Sequence, residues 1–233
     1  MAVKQRKKLK EPDEFITLSD RAVRWARENL KLVIALAAAF VLCLAAITAV
    51  QAYLQHQRQA AAQALAVAME PYAKAMDDFN DQKSFTAAEK ALRKVMEEYG
   101  STASGVQASL SLGNLLLSRE KWGSAQEVFQ VLCEQDDLAP MLQPLAWRGK
   151  AQALEGQKKF QESAGAYRRA VKLSGPNLAR RYRLDLARVL AAAGDQKQAE
   201  DIYRELCGPK GDPLLAEVAR AELVELGVVP PKD

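Results

Sequence analysis

The sequence predicts an all-α protein: a single transmembrane helix near the amino terminus, followed by an α-solenoid of helix pairs. Three observations carry that reading. Residues 32–52, LVIALAAAFVLCLAAITAVQA, hold no charged side chain. From Tyr72 onward a small residue recurs at 88, 125, 163 and 199, in steps of 37, 38 and 36, each time ahead of larger apolar residues. Helix-breaking stretches separate the recurrences, at Gly100-Ser101-Thr102, Asp136-Asp137-Leu138-Ala139-Pro140, Ser174-Gly175-Pro176 and Gly208-Pro209.

The apolar run comes first. At about 1.5 Å of helix rise per residue it just crosses a bilayer core of about 30 Å. A buried helix of a soluble protein is the bland alternative, but nothing else in the chain is apolar enough to surround it. Lys and Arg near a span are held on the cytoplasmic side. Nine precede it, Lys4, Arg6, Lys7, Lys8, Lys10, Arg21, Arg24, Arg27 and Lys31, whereas Arg58 and Lys74 are the next to follow. The reading is therefore a single-pass membrane protein with its amino terminus in the cytoplasm and its carboxyl-terminal domain exported. Val50-Gln51-Ala52 would pass as a signal cleavage site, yet the run is longer than a usual signal core and 31 residues precede it, which favours an uncleaved anchor. Cys43 lies inside the span, so lipid anchoring has no support.

Charge excludes one class of partner. The net +4 arises from nine basic against five acidic residues before Tyr53, leaving 33 − 9 = 24 basic and 29 − 5 = 24 acidic residues in the remainder. A nucleic-acid role needs a basic face on the folded domain, and that domain is balanced.

In chain order, residues 1–31 read as a cytoplasmic basic tail and amphipathic helix. The tail, 1–14, has no buried-face pattern. Ser19 is placed to cap a helix whose Ala22, Trp25, Ala26 and Leu30 share one face, with Arg21, Arg24, Arg27, Glu28 and Lys31 on the other. The span is 32–53, with Trp25 and Tyr53 suited to the aromatic belts at its two ends. Residues 54–70, rich in Ala, read as a helical stalk that kinks or restarts at Pro71. His56, the only histidine, is given no role. Residues 71–227 form the repeat domain, four helix pairs plus a capping helix, and 228–233 a tail.

The repeats align as Phe85-x-x-Ala88-x-x-x-Leu92-x-x-Val95, Trp122-x-x-Ala125-x-x-x-Phe129-x-x-Leu132, Phe160-x-x-Ser163-x-x-x-Tyr167-x-x-Ala170 and Ala199-x-x-x-Tyr203-x-x-Leu206. Each of the last three is preceded by a second helical phrase: Leu112-Gly113-x-x-Leu116, Trp147-x-x-x-Ala151-x-x-Leu154, and Leu186-Ala187-x-x-Leu190. Small residues at fixed places let antiparallel helices cross closely, and large ones four further on fill the adjoining groove. These phrases resemble tetratricopeptide repeats, with two to four residues added between units. The first unit matches least, because Met76 stands where a small residue is expected. Asp212-Pro213 starts a last helix whose Glu217, Arg220, Glu222 and Glu225 suit a solvated cap.

Catalysis finds no foothold. There is no second His, no glycine-rich phosphate loop and no Cys-x-x-Cys. Asp77-Asp78 and Asp136-Asp137 read as solvated surface, and Cys133 and Cys207, a whole repeat apart, as small core residues. No catalytic residue, metal site or cofactor is therefore assigned.

The overall plan resembles the YfgM family of ancillary Sec translocon subunits, which share a repeat domain with the periplasmic cell-division coordinator CpoB. The likeness covers roughly residues 13–225. It is carried by the charged helix over 20–31 running into the span, and by Ala87-Ala88-Glu89-Lys90 through Tyr99-Gly100-Ser101 to Ala108-Ser109-Leu110. The resemblance implies a bacterial inner-membrane protein with its repeats in the periplasm, a scaffold in contact with translocon subunits, periplasmic chaperones or exported polypeptides. Membrane-bound repeat proteins of cytochrome maturation and of outer-membrane assembly have a related plan. A structural organiser of envelope assembly or division, self-associating through its stalk, is the alternative, and an exported enzyme with an unrecognised site a third.

The expected partner-binding surface is the concave face, lined by the first helix of each pair. Side chains three or four apart there are Gln107, Leu110, Asn114 and Leu117, then Leu145, Arg148, Gln152 and Glu155, then Arg181, Leu184 and Arg188. Asn and Gln suit a peptide backbone, Leu an apolar side chain, and Arg a carboxylate. Asn114 with Arg148 resembles part of the carboxylate clamp of peptide-binding tetratricopeptide proteins, whose lysines and second asparagine have no counterpart here.

Overall fold

A computed structural model describes residues 14–208 and 212–231, with side chains from Asp20 onward. Residues 1–13 of the tail expected over 1–14, Pro209 in the last inter-unit break, and the final two residues lie outside the described residues. Among the described residues there are ten helices and no strand. The chain divides into two units, residues 1–56 and 57–233.

The first unit holds α1 (Glu14–Glu28) and the beginning of α2 (Leu30–Asp77). The apolar part of α2 reaches a mean hydropathy of 2.8 over eighteen residues and buries none of them, so this helix is long and apolar enough to cross a membrane. One expectation needs correction. α1 begins at Glu14, so Ser19 lies inside it rather than capping it; no Gly or Pro between 14 and 28 stops the helix earlier. Helical hydrogen bonds continue across Asn29, whose N–H donates to Trp25 O at 2.9 Å and whose carbonyl accepts from Val33 N at 3.0 Å.

The second unit pairs residues 57–77 of α2 with α3 (Gln82–Tyr99). It then pairs α4 (Ala103–Ser118) with α5 (Trp122–Glu134), α6 (Gln143–Gly156) with α7 (Phe160–Leu173), and α8 (Pro176–Ala192) with α9 (Gln196–Leu206), and ends on α10 (Pro213–Glu225). Much of the expected stalk is packed here. Ala61, Leu65, Ala68 and Ala75 of α2 are buried, the alanines seven apart on one face. Ala75 thus supplies the small side chain that the sequence seeks at Met76. Nor does α2 restart at Pro71. The missing proline N–H leaves the carbonyl of Val67 without its helical donor, but Val67 is 73% exposed, so water can serve it.

Repeat positions then follow the spacing. Ala88, Ala125, Ser163 and Ala199 have no exposed surface, and Leu92, Phe129, Tyr167 and Tyr203, four residues on, are buried beside them. Ser163 Oγ donates to Ala151 O at 2.8 Å, so the one polar residue at this position bonds to the helix it crosses. Leu at Ala125 should overpack the crossing at a cost of about 1–3 kcal/mol, seen as a lower melting temperature.

Turns repeat as well. Glu120, Lys158, Gly194 and Gly227 each have positive φ just past a helix end. The next residue donates back five positions, from Lys121 to Leu116 O, Lys159 to Leu154 O, Asp195 to Leu190 O and Val228 to Leu223 O. These are Schellman closures, of which two use a non-glycine residue in the left-handed region.

Arg119, just before the first such turn, ties two units together. Its guanidinium donates to Phe79 O, to Ala75 O at 3.2 Å and to Asp78 O at 3.3 Å, closing the carboxyl-terminal end of α2. It also lies over the rings of Phe79 and Phe85, 5.5 and 5.2 Å from their centroids.

The core forms two clusters that meet at α6: Ala146 and Ala153 belong to the first, Ala151 and Leu154 to the second. α10 covers the second cluster with Ala219 and Leu223, but its exposed side is more apolar than its charges suggest, with Leu214 and Val224 standing 69% and 62% exposed. Glu222 is not idle surface either, because it accepts from the buried Tyr203 hydroxyl at 3.2 Å.

Candidate functional site

The first helices of the second, third and fourth pairs, α4, α6 and α8, carry all eleven residues expected to bind a partner. α4 packs against α6, and side chains of α6 and α8 meet across their junction. None of the eleven is buried. Gln107, Asn114, Leu145, Arg181 and Arg188 are exposed; Arg148, Gln152 and Glu155 are half-buried. Leu110 and Leu117 lean on the first core cluster and Leu184 on the second, so part of the apolar contact they were expected to offer is used internally.

The structure brings α6 and α8 together through charge. Both terminal nitrogens of Arg188 engage the Glu155 carboxylate, the second at 3.1 Å, in a fork-to-fork pair. Asp185 Oδ1 lies 3.9 Å from the same guanidinium, and Arg148 sits over the Tyr182 ring at 5.9 Å. Among the described residues no hydrogen bond joins Asn114 to Arg148; Asn114 is exposed on α4 and Arg148 half-buried on α6.

Three participants escape the sequence reading. Asp185 was passed over between Arg181 and Arg188, although its three-residue spacing to Arg188 could have flagged it. Tyr182 is the ring beneath Arg148, three residues before Asp185. Tyr167 was counted only as a core-filling ring; it is fully buried, and its hydroxyl has no hydrogen-bond partner in the structure. No sequence signal marks that orphan.

Electrostatics follow from partial burial. Desolvation raises the Asp185 carboxyl above its ordinary value, against the pull of Arg148 and Arg188. The hydrogen bond that Arg188 donates to Glu155 holds the guanidinium more firmly charged. Burial, with Asp185 and Glu155 adding to it, raises the Tyr167 phenol, which therefore stays a neutral donor. The face thus offers guanidinium, carboxylate and amide groups within one cluster, a set suited to a polypeptide with its own mixture of donors and acceptors.

Other candidate chemistry is thin. Burial pushes the Cys133 thiol up to about 12, which removes its nucleophilic character. Cys133 packs against the first cluster and Cys207 against the second. Among the described residues no group of three or more His, Cys, Asp or Glu is placed to hold a metal ion.

Comparison with protein families adds one finding. Residues 148–213, from within α6 through α9 to the start of α10, match the tetratricopeptide repeat family. The match covers 66 of the 233 residues. The matched stretch includes Arg148, Gln152, Glu155, Arg181, Leu184 and Arg188, while the α4 residues and Leu145 precede it. A search of curated proteins found no match. Tetratricopeptide repeats typically serve as scaffolds for protein–protein interaction.

Proposed function

We propose that this protein is a membrane-anchored, exported tetratricopeptide scaffold that holds polypeptide partners on the face of α4, α6 and α8, as an ancillary component of the translocon. The observation that carries the reading is the cluster of Arg148, Glu155, Asp185 and Arg188, side chains of α6 and α8 that meet in a polar site built across two repeats. An inner-membrane position with the repeats in the periplasm is supported by the apolar stretch of α2 and by the nine basic residues that precede it. Burial of Ala61, Leu65 and Ala68 weighs against the alternative, an organiser that self-associates through a free stalk.

The test combines Asn114→Ala, Arg148→Ala and Arg188→Ala in the full chain. Crosslinking to exported polypeptides and to translocon subunits should fall while the helical content and melting temperature of the repeats persist. A reporter fused after Asp233 should be active only in the exported compartment. Unchanged crosslinking by a folded variant would move the binding surface elsewhere, and a cytoplasmic reporter would overturn the location.

A further inference from the structure

α1 separates its side chains into two halves. Over residues 20–28, with 3.6 residues per turn, Asp20, Arg21, Arg24, Arg27 and Glu28 fall on one side and Ala22, Val23, Trp25 and Ala26 on the other. Val23 and Trp25 are 50% and 52% exposed. A fully solvated helix gains nothing from such an arrangement; an interface between water and an apolar phase rewards it.

Two observations identify the phase. Only Asn29 separates α1 from α2, the helix long and apolar enough to cross a membrane, so any bilayer holding α2 lies within reach of α1. The charge near this junction is also biased. Arg21, Arg24, Arg27 and Lys31 stand against Glu14, Asp20 and Glu28, and the sequence ahead of α1 adds Lys4, Arg6, Lys7, Lys8 and Lys10 against Glu11 and Asp13. We propose that α1 is an interfacial helix that docks on an anionic lipid surface, with Trp25 at the boundary between headgroups and acyl chains and the arginines among the phosphates. This inference rests on the reading that α2 crosses a membrane.

Trp25 provides the test, because the other two tryptophans, Trp122 and Trp147, belong to the repeat domain. The full chain is assembled into nanodiscs of phosphatidylcholine alone or mixed with phosphatidylglycerol, with acyl chains brominated close to the headgroup. Trp25→Phe protein fixes the emission of Trp122 and Trp147. Quenching of Trp25 is expected with phosphatidylglycerol present, and it should be lost in phosphatidylcholine alone, at high salt and in an Arg21→Gln, Arg24→Gln, Arg27→Gln variant. Quenching that ignores lipid charge and the arginines, or none in either lipid, would overturn the proposal while α2 remains inserted. A chain that does not enter the discs at all would overturn the membrane reading itself, and the two failures are told apart by co-migration with the discs.

Discussion

Replacing Gly105 with Ala should produce the largest loss of stability of any single methyl group added to the repeat domain. A Cβ at this position would stand 1.9 Å from Tyr99 O, 2.4 Å from Tyr99 C and 2.8 Å from Gly100 Cα. All three are backbone atoms, so no rotamer change relieves the overlap and the corner between α3 and α4 must open. That corner is also where Thr102 caps α4, accepting from Gly105 N at 3.1 Å and donating to Tyr99 O at 2.8 Å. Overpacking against rigid surroundings costs about 3 kcal/mol, equivalent to a fall in Tm of roughly 6–12 °C in a domain of this size. Gly165→Ala, in the interior of α7, is the control: its Cβ meets nothing within 4 Å. It should raise stability by about 0.5–1 kcal/mol. Thermal melts of the two variants decide the matter, and equal melting temperatures would refute the close approach.

Arg119→Ala should come next, at about 2–3 kcal/mol, because it strips a charged donor from three carbonyls at the end of α2. The loss also uncovers Phe79 and Phe85, on which the guanidinium lies. Arg119→Lys should recover only part of the loss, since one ammonium cannot span the carbonyls that a planar fork reaches. Chemical denaturation of wild type and both variants supplies the ranking; an Arg119→Lys protein as stable as wild type would show that charge alone suffices. The prediction also separates local from global effects. Loss of this link should loosen the first helix pair before the others, visible as faster amide exchange over residues 57–77.

What the sequence disclosed depended on periodicity. Ala88, Ala125, Ser163 and Ala199 are legible because a helix crossing needs a small side chain at one fixed place per unit, and their burial confirms the register. Contacts that cross between units left no such trace. Arg119 lies 40 residues from Phe79, and nothing local distinguishes it from any exposed arginine in a turn. Gly149 has the same history: a Cβ there would lie 2.3 Å from the Phe129 ring, as one on Gly113 would at 2.4 Å, yet only Gly113 belonged to a recognised phrase. The turn glycine was legible at Gly194 but not at Glu120 or Lys158, where a non-glycine side chain occupies the same left-handed backbone. At the candidate site the exposed face could be read from helical spacing, whereas the pairing of Glu155 with Arg188 required knowing which helices are neighbours.

The shared position of α6 has a consequence for cooperativity. Its small side chains face two cores at once, so neither half of the repeat array can lose its packing without uncovering the other. A wave of unfolding entering from either end meets the same helix, which acts as a fuse between two otherwise nearest-neighbour stacks. Arg148, Gln152 and Glu155 ride on that helix. A partner gripping them would therefore raise the opening threshold of both halves together, and occupancy of one short segment would be felt as rigidity along the whole array.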